Sequence, residues 1–102
     1  MNDYLASQTW MASITLSVTD VPRVVRNGVE YQPVSVTLTW SAWNLEYYGG
    51  PEVSMRALRV RKNGEVGLQD KIMYPNSWND TPEWIADLIA KHTPKTFITW
   101  GN

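Results

Sequence analysis

Cysteine is absent from this sequence, and histidine and phenylalanine occur once each. A chain without cysteine has no disulfide framework, no thiol nucleophile and no cysteine-based zinc site. A single histidine leaves no H-E-x-x-H motif or paired-ligand spacing, and the glycines form no phosphate-binding loop. We therefore expect a protein that is not an enzyme and that uses neither a metal nor another cofactor.

Net charge is also nearly absent, since nine basic and ten acidic side chains sum to −1. Such a balance provides no long-range field toward nucleic acid or anionic lipid, so any charged partner must meet a local patch. No run approaches the roughly 18 apolar residues of a membrane span, and the first residues lack the basic and apolar regions of a signal peptide. A cytoplasmic location and no membrane partner are the expectations.

The sequence does contain regular alternation of apolar and polar residues, over 12–19 and 34–43. This period of two predicts half-buried strands, and one-sided alternation is typical of antiparallel sheets. The residues expected on the buried face are Ala12, Ile14, Leu16, Val18, Val34, Val36, Leu38, Trp40 and Ala42. The residues expected on the opposite, solvent face are serines and threonines, among them Thr15, Thr37 and Thr39, together with Trp43.

Two Asn-Gly pairs predict β-hairpins, because both residue types tolerate the positive φ of a type I′ turn. The pair at 27–28 predicts a small hairpin that ends at Pro33. The pair at 63–64 predicts a longer hairpin that joins residues 53–62 to 65–74.

The longer hairpin has two irregularities. Its apolar residues change phase along the first strand, which predicts a bulge or a strong twist near Ala57 and Leu58. On the returning strand, the residues expected to face inward are Val66, Leu68 and Ile72. Asp70 has the same parity and is a misfit among them.

A helix is predicted over residues 82–92. Asp80 or Thr81 can cap it, Pro82 suits its first turn, and Pro94 ends it. Its apolar positions form one stripe that should pack on the sheet. The residues of this stripe are Trp84, Ile85, Leu88, Ile89 and His92, and burial is expected of Trp84, Leu88 and Ile89.

These elements predict an α+β fold: an antiparallel sheet of five to six strands, a meander with two Asn-Gly hairpins, packed on one C-terminal helix. Residues 1–102 are expected to form a single domain, with residues 1–11 as a candidate flexible segment. The tail at 96–100 either adds a last strand or lies across the helix.

The aromatic-rich segment from Trp43 to Pro51 is the first candidate site. It links two strands, has Gly-Gly-Pro punctuation typical of a loop, and still contains Trp43, Tyr47 and Tyr48. Rigid aromatic side chains displayed on a surface are the usual anchors of an interface. The alternative is that the loop folds back and its rings close one end of the core.

The second candidate site is the basic hairpin, in which Arg59, Arg61 and Lys62 lie close together and Lys71 lies on the returning strand. Basic side chains on strands protect a sheet edge from aggregation, which is the favoured interpretation. They also form a modest patch for an anionic partner.

The sequences R-V-R-K-N-G-E-V-G (59–67) and W-N-D-T-P-E-W-I-A-D-L-I-A-K-H-T-P (78–94) resemble small uncharacterised proteins of actinobacteria and their phages. The resemblance covers residues 53–94 and rests on a basic Asn-Gly hairpin and a closing P-E-W helix. It implies a small accessory protein, such as one that a phage uses to bind and inhibit a host factor in the host cytoplasm.

Three functions remain open at this point. The first is a non-enzymatic module that binds a protein, such as a host factor, through the aromatic loop, with the basic hairpin beside it. The second is a binder of small ligands or carbohydrates that uses tryptophan and tyrosine as stacking platforms. The third is a nucleic-acid binder that uses the basic hairpin over 56–71. A homodimer through the serine and threonine faces also remains open.

Overall fold

The computed structural model describes residues 11–74 and 81–94, apart from the side chains at 45, 46 and 48. The elements in these ranges are β1 (Met11–Ser17), β2 (Val24–Arg26), β3 (Val29–Ser41), α1 (Ala42–Tyr48), β4 (Glu52–Val60), β5 (Val66–Met73) and α2 (Glu83–His92). The predicted α+β fold is confirmed, with one antiparallel sheet and a C-terminal helix. The expectations for residues 1–10 and for the tail at 96–100 lie outside the described residues.

Strand β3 lies at the centre of the sheet. Both β1 and β2 pair with one edge of β3, β4 pairs with its other edge, and β5 pairs with β4, all antiparallel. The first hairpin has the predicted turn, because Asn27 and Gly28 have φ of 52° and 77°. Val24 pairs with Tyr31 and Ser17 with Ser35, so β2 covers the beginning of β3 and β1 covers its end.

The turn of the second hairpin is of a different type. The N–H of Gly64 donates to the carbonyl of Arg61 at 2.8 Å, and the N–H of Arg61 donates to the carbonyl of Glu65 at 2.8 Å. Only Gly64 has a positive φ in this turn, at 88°, so the connection has three residues rather than two. Asn63 contributes its side-chain oxygen, which accepts the N–H of Glu65 at 3.0 Å.

The two faces of the sheet divide as the alternation predicts. On the inner face, Val36 and Leu38 have no exposed surface, Trp40 is buried, and Ile14 and Leu16 pack against them half-buried. The outer face contains the serines and threonines, where the hydroxyls of Thr15 and Thr37 are 2.9 Å apart and those of Ser13 and Thr39 are 3.2 Å apart. The outer face is therefore the more exposed one along β1 and β3.

The prediction that the first hairpin ends at Pro33 is wrong, because β3 continues through it to Ser41. Pro33 pairs with Ala57, but the next pair is Ser35 with Arg56, so Val34 is an extra residue in β3. Proline is tolerated within sheets at such bulges. The bulge also moves the inner face from odd-numbered to even-numbered residues, which leaves Val34 half-buried instead of buried.

The prediction for the inward face of β5 is also wrong. Met73 pairs with Met55 and Lys71 with Ala57, so the odd-numbered residues of β5 face inward. The three residues predicted to face inward are exposed, namely Val66, Leu68 and Ile72.

Asp70 is no longer a misfit in this arrangement, since it lies on the outer face opposite Leu58. The pairing of β4 with β5 shifts between Leu58 and Val60, next to the predicted bulge.

Helix α2 packs on the inner face through Ile85, which has no exposed surface. The residues predicted to be buried, Trp84, Leu88 and Ile89, are only partly buried against the core. The most buried position of the stripe is Ile85 instead. The N-cap residue is Pro82 rather than Thr81, and the other predicted cap, Asp80, lies outside the described residues. Neither helix of the described ranges has the length and apolar character that a membrane crossing requires.

Candidate interaction surfaces

The aromatic segment is not the predicted loop, because Ala42–Tyr48 forms the helix α1. The hydroxyl oxygen of Ser41 accepts the N–H of Asn44 at 3.1 Å, which is the geometry of a serine N-cap. Asn44 is nearly buried, and its side-chain amide donates to the carbonyl of Thr39 at 3.1 Å. This bond attaches the helix to the end of β3.

Helix α1 ends at a glycine. Gly49 has a φ of 72°, and its N–H donates to the carbonyl of Asn44 at 3.0 Å. Glycine adopts this left-handed conformation without the steric cost of a side chain. The chain then turns at the buried Pro51 into β4, which fixes both ends of α1 against the sheet.

Trp43 and Tyr47 are one helical turn apart on the surface of α1. Their ring centroids are 4.8 Å apart with an angle of 43° between the planes. Trp43 is 47% exposed and Tyr47 is 53% exposed. We call these two residues the aromatic pair. The prediction that Trp43 continues the solvent face of β3 is wrong, because the strand has already ended at Ser41. The side chain of Tyr48 lies outside the described ones.

Two features of the sequence indicate the ends of α1. Ser41 is a favoured N-cap residue directly before the first helical residue, and Gly49 is a favoured C-terminal residue directly after the last one. The alternation of 34–43 obscures them, because it continues without a break into the first turn of the helix.

The basic candidates Arg59, Arg61 and Lys62 are all exposed. Arg59 lies at the end of β4 that pairs with the beginning of β3, whereas α1 follows the end of β3 and adjoins the start of β4. The nine residues of β4 separate the two places by roughly 30 Å. The expectation that the basic hairpin lies beside the aromatic residues is therefore wrong.

The acidic side chains of the described strands share one face of the sheet. By register, the acidic ones, Glu30, Glu52 and Asp70, are all on the outer face. Two of them form ion pairs there: Arg23 Nη1 is 3.4 Å from Glu30, and Arg56 Nε is 2.7 Å from Asp70. The hydrogen bond and the charge of Arg56 lower the pKa of Asp70 below its ordinary value of 3.8.

The basic side chains of the inner face have a different environment. By register, Arg26, Arg59 and Lys71 belong to this face. Lys71 Nζ lies 5.4 Å from the centroid of the Tyr31 ring, a cation–π contact. Arg26 reaches across the curved sheet, since its Nη2 donates to the carbonyl of Tyr74 at 3.4 Å.

No protein-family model, curated protein or solved structure matches the chain. Within the ranges that the structure describes, no group of three or more acidic or histidine side chains is placed to hold a metal ion.

Proposed function

We propose that this chain is a non-enzymatic interaction module that binds a protein partner through the aromatic pair on α1. The observation that carries the proposal is the half-exposure of two large rings in mutual contact on a helix that is fixed at both ends. Tryptophan and tyrosine are enriched among interface residues that dominate binding energy. A helix held by the Asn44 side chain presents them with little loss of conformational entropy on binding.

The shape of the surface favours a protein over a small ligand or a carbohydrate. Trp43 and Tyr47 project from the outside of a helix, which is a convex cylinder, whereas small-molecule sites are concave and enclose most of the ligand. A convex aromatic ridge fits a groove on another protein, in the manner of helix-in-groove recognition. The resemblance to phage proteins supports a host factor as the partner and inhibition or accessory function as the role.

The test is affinity capture from lysate of the host cell with three forms of the protein: the wild type, a Trp43→Ala and Tyr47→Ala double variant, and a Tyr74→Ala control. Tyr74 is 59% exposed and follows β5 rather than belonging to α1, so the control also removes an exposed aromatic ring, from outside the aromatic pair. A protein that the wild type and the control capture, and that the double variant loses, is then purified and titrated directly. We expect its affinity for the double variant to fall by at least about 2 kcal/mol, roughly thirtyfold.

Thermal melts of the same variants separate binding from folding. If the rings close the core instead, Trp43→Ala should cost about 3–5 kcal/mol of stability. Such a loss, or equal capture of the same proteins by all three forms, contradicts the proposed function.

A further inference from the structure

We propose a second binding surface, for single-stranded nucleic acid, on the inner face of the sheet at the end that carries the β4–β5 turn. Its basic cluster consists of Arg59, Arg61 and Lys71, all of which are exposed. This surface lies at the other end of β4 from the aromatic pair and does not depend on the function proposed above.

The first observation is that the charge of the basic cluster is not neutralised. Among the described residues, the ion pairs are those of Arg23 with Glu30 and of Arg56 with Asp70, both on the outer face. Asp70 precedes Lys71 in the chain, but it lies on the outer face and is paired with Arg56. Glu65 in the turn forms no ion pair with the cluster in the described part of the structure. A chain with a net charge of −1 therefore concentrates positive charge on one end of one face.

The second observation is that the cations are positioned before any ligand arrives. Lys71 is held over Tyr31, whose ring is buried, and Arg59 lies directly opposite Tyr31 in the register. The Arg61 side chain lies over Gly67: a Cβ atom at this glycine would be 3.2 Å from Nε and 3.6 Å from Cγ of Arg61. The absence of a side chain at Gly67 thus lets the guanidinium of Arg61 lie across β5 toward the inner face.

The third observation concerns the chemistry of the partner. The exposed apolar side chains of this end of the sheet all lie on the outer face by register, namely Val25, Val66, Leu68 and Ile72. A protein interface requires buried apolar anchors at its centre, and the described residues of the basic cluster provide none. Binding through charge alone is what a phosphate backbone requires.

The geometry also favours one nucleic-acid strand over two. The cluster occupies the adjacent strands β4 and β5 and the turn between them, so it forms a narrow track about one strand spacing, roughly 5 Å, in width. Single-stranded nucleic acid follows such basic tracks. With three phosphate contacts, the logarithm of the binding constant should fall with the logarithm of the salt concentration with a slope of about −2.

The experiment measures fluorescence anisotropy of a labelled oligodeoxythymidine against the full chain over a salt series that starts at low ionic strength. The test variant carries Arg59→Gln and Arg61→Gln. The matched control carries Arg56→Gln and Lys91→Gln, which remove the same charge from the outer face and from α2. We expect the test variant to bind on the order of tenfold more weakly, with a salt slope reduced in magnitude by about 1.4, and the control to bind like the wild type.

Three outcomes overturn the proposal. The first is no binding of the wild type at low salt, and the second is an equal loss in both double variants, which indicates only a net-charge effect. The third is binding of polyglutamate as tight as that of the oligonucleotide, which indicates an acidic protein as the partner. Melting curves establish that the variants are folded, and the salt slope, taken on folded protein, distinguishes lost phosphate contacts from lost stability.

Discussion

At the scale of single residues, Leu38 and Leu68 show why a period of two does not by itself locate the core. Both stand in apolar positions of a predicted strand. Leu38 is completely buried on the inner face, whereas Leu68 is 89% exposed on the outer face. The difference arises from register: the pairing of Met73 with Met55 turns the even-numbered residues of β5 outward, and only the tertiary structure determines that pairing.

This contrast predicts opposite outcomes for the same substitution. Leu38→Ala should lower the free energy of unfolding by about 2–5 kcal/mol, because it leaves a cavity in the core beside Ile14 of β1 and Val53 of β4. Leu68→Ala should change it by less than about 0.5 kcal/mol, because the side chain is solvated in the folded state as well. Urea denaturation of both variants checks this, and comparable losses would show that β5 is in the other register.

Asp70 provides a prediction on pH. Because Arg56 lowers its pKa in the folded state, the contribution of this ion pair to stability is present above the ordinary value of 3.8 and is lost as the pH falls through the lower folded-state value. An NMR titration of the Asp70 carboxyl carbon should therefore give a pKa below 3.8 in the wild type and a higher one in Arg56→Gln. Arg23→Gln removes the other ion-paired arginine of the outer face and should leave Asp70 unchanged; an equal rise in both variants would assign the shift to the general field.

At the scale of elements, the sequence predicts those turns and helices that are determined by residues close together in the chain. The type I′ turn at 27–28 and helix α2 were predictable because Asn-Gly tolerates positive φ and because an apolar stripe with flanking prolines defines a helix. The boundary of β3 was not predictable, since Pro33 is a strand breaker in general and becomes acceptable only through the bulge at Val34. That bulge depends on the pairing of β3 with β4, and the paired residues of β4 are more than 20 positions away along the chain.

Helix α1 is an intermediate case. Its cap at Ser41 and its glycine at Gly49 were visible in the sequence, but the alternation and the Gly-Gly-Pro punctuation favoured a strand followed by a loop. A helix of seven residues has little intrinsic stability in water, so packing decides the outcome. Here the decisive contacts are the complete burial of Ala42 and the bond from Asn44 to the carbonyl of Thr39.

At the scale of the whole molecule, the sheet separates the two candidate surfaces. The composition showed an excess of tryptophan and tyrosine and a basic hairpin, and both candidate sites could be named from the sequence. Their relative positions could not be predicted, because these positions depend on the direction in which β4 runs between the two sites and on the face of the sheet to which each side chain points. The aromatic pair lies at the start of β4, and the basic cluster lies at its end.

This separation predicts that the two surfaces bind independently. Substitutions more than roughly 10 Å apart that share no partner act additively, and roughly 30 Å of strand lies between these sites. The Trp43→Ala and Tyr47→Ala variant should therefore bind the oligodeoxythymidine within about twofold of the wild type, and the Arg59→Gln and Arg61→Gln variant should retain capture of the protein partner. Anisotropy and direct titration on the same preparations measure both. If the aromatic variant loses oligonucleotide binding while its melting curve is unchanged, the two surfaces belong to one continuous site, and the arrangement along β4 described above is wrong.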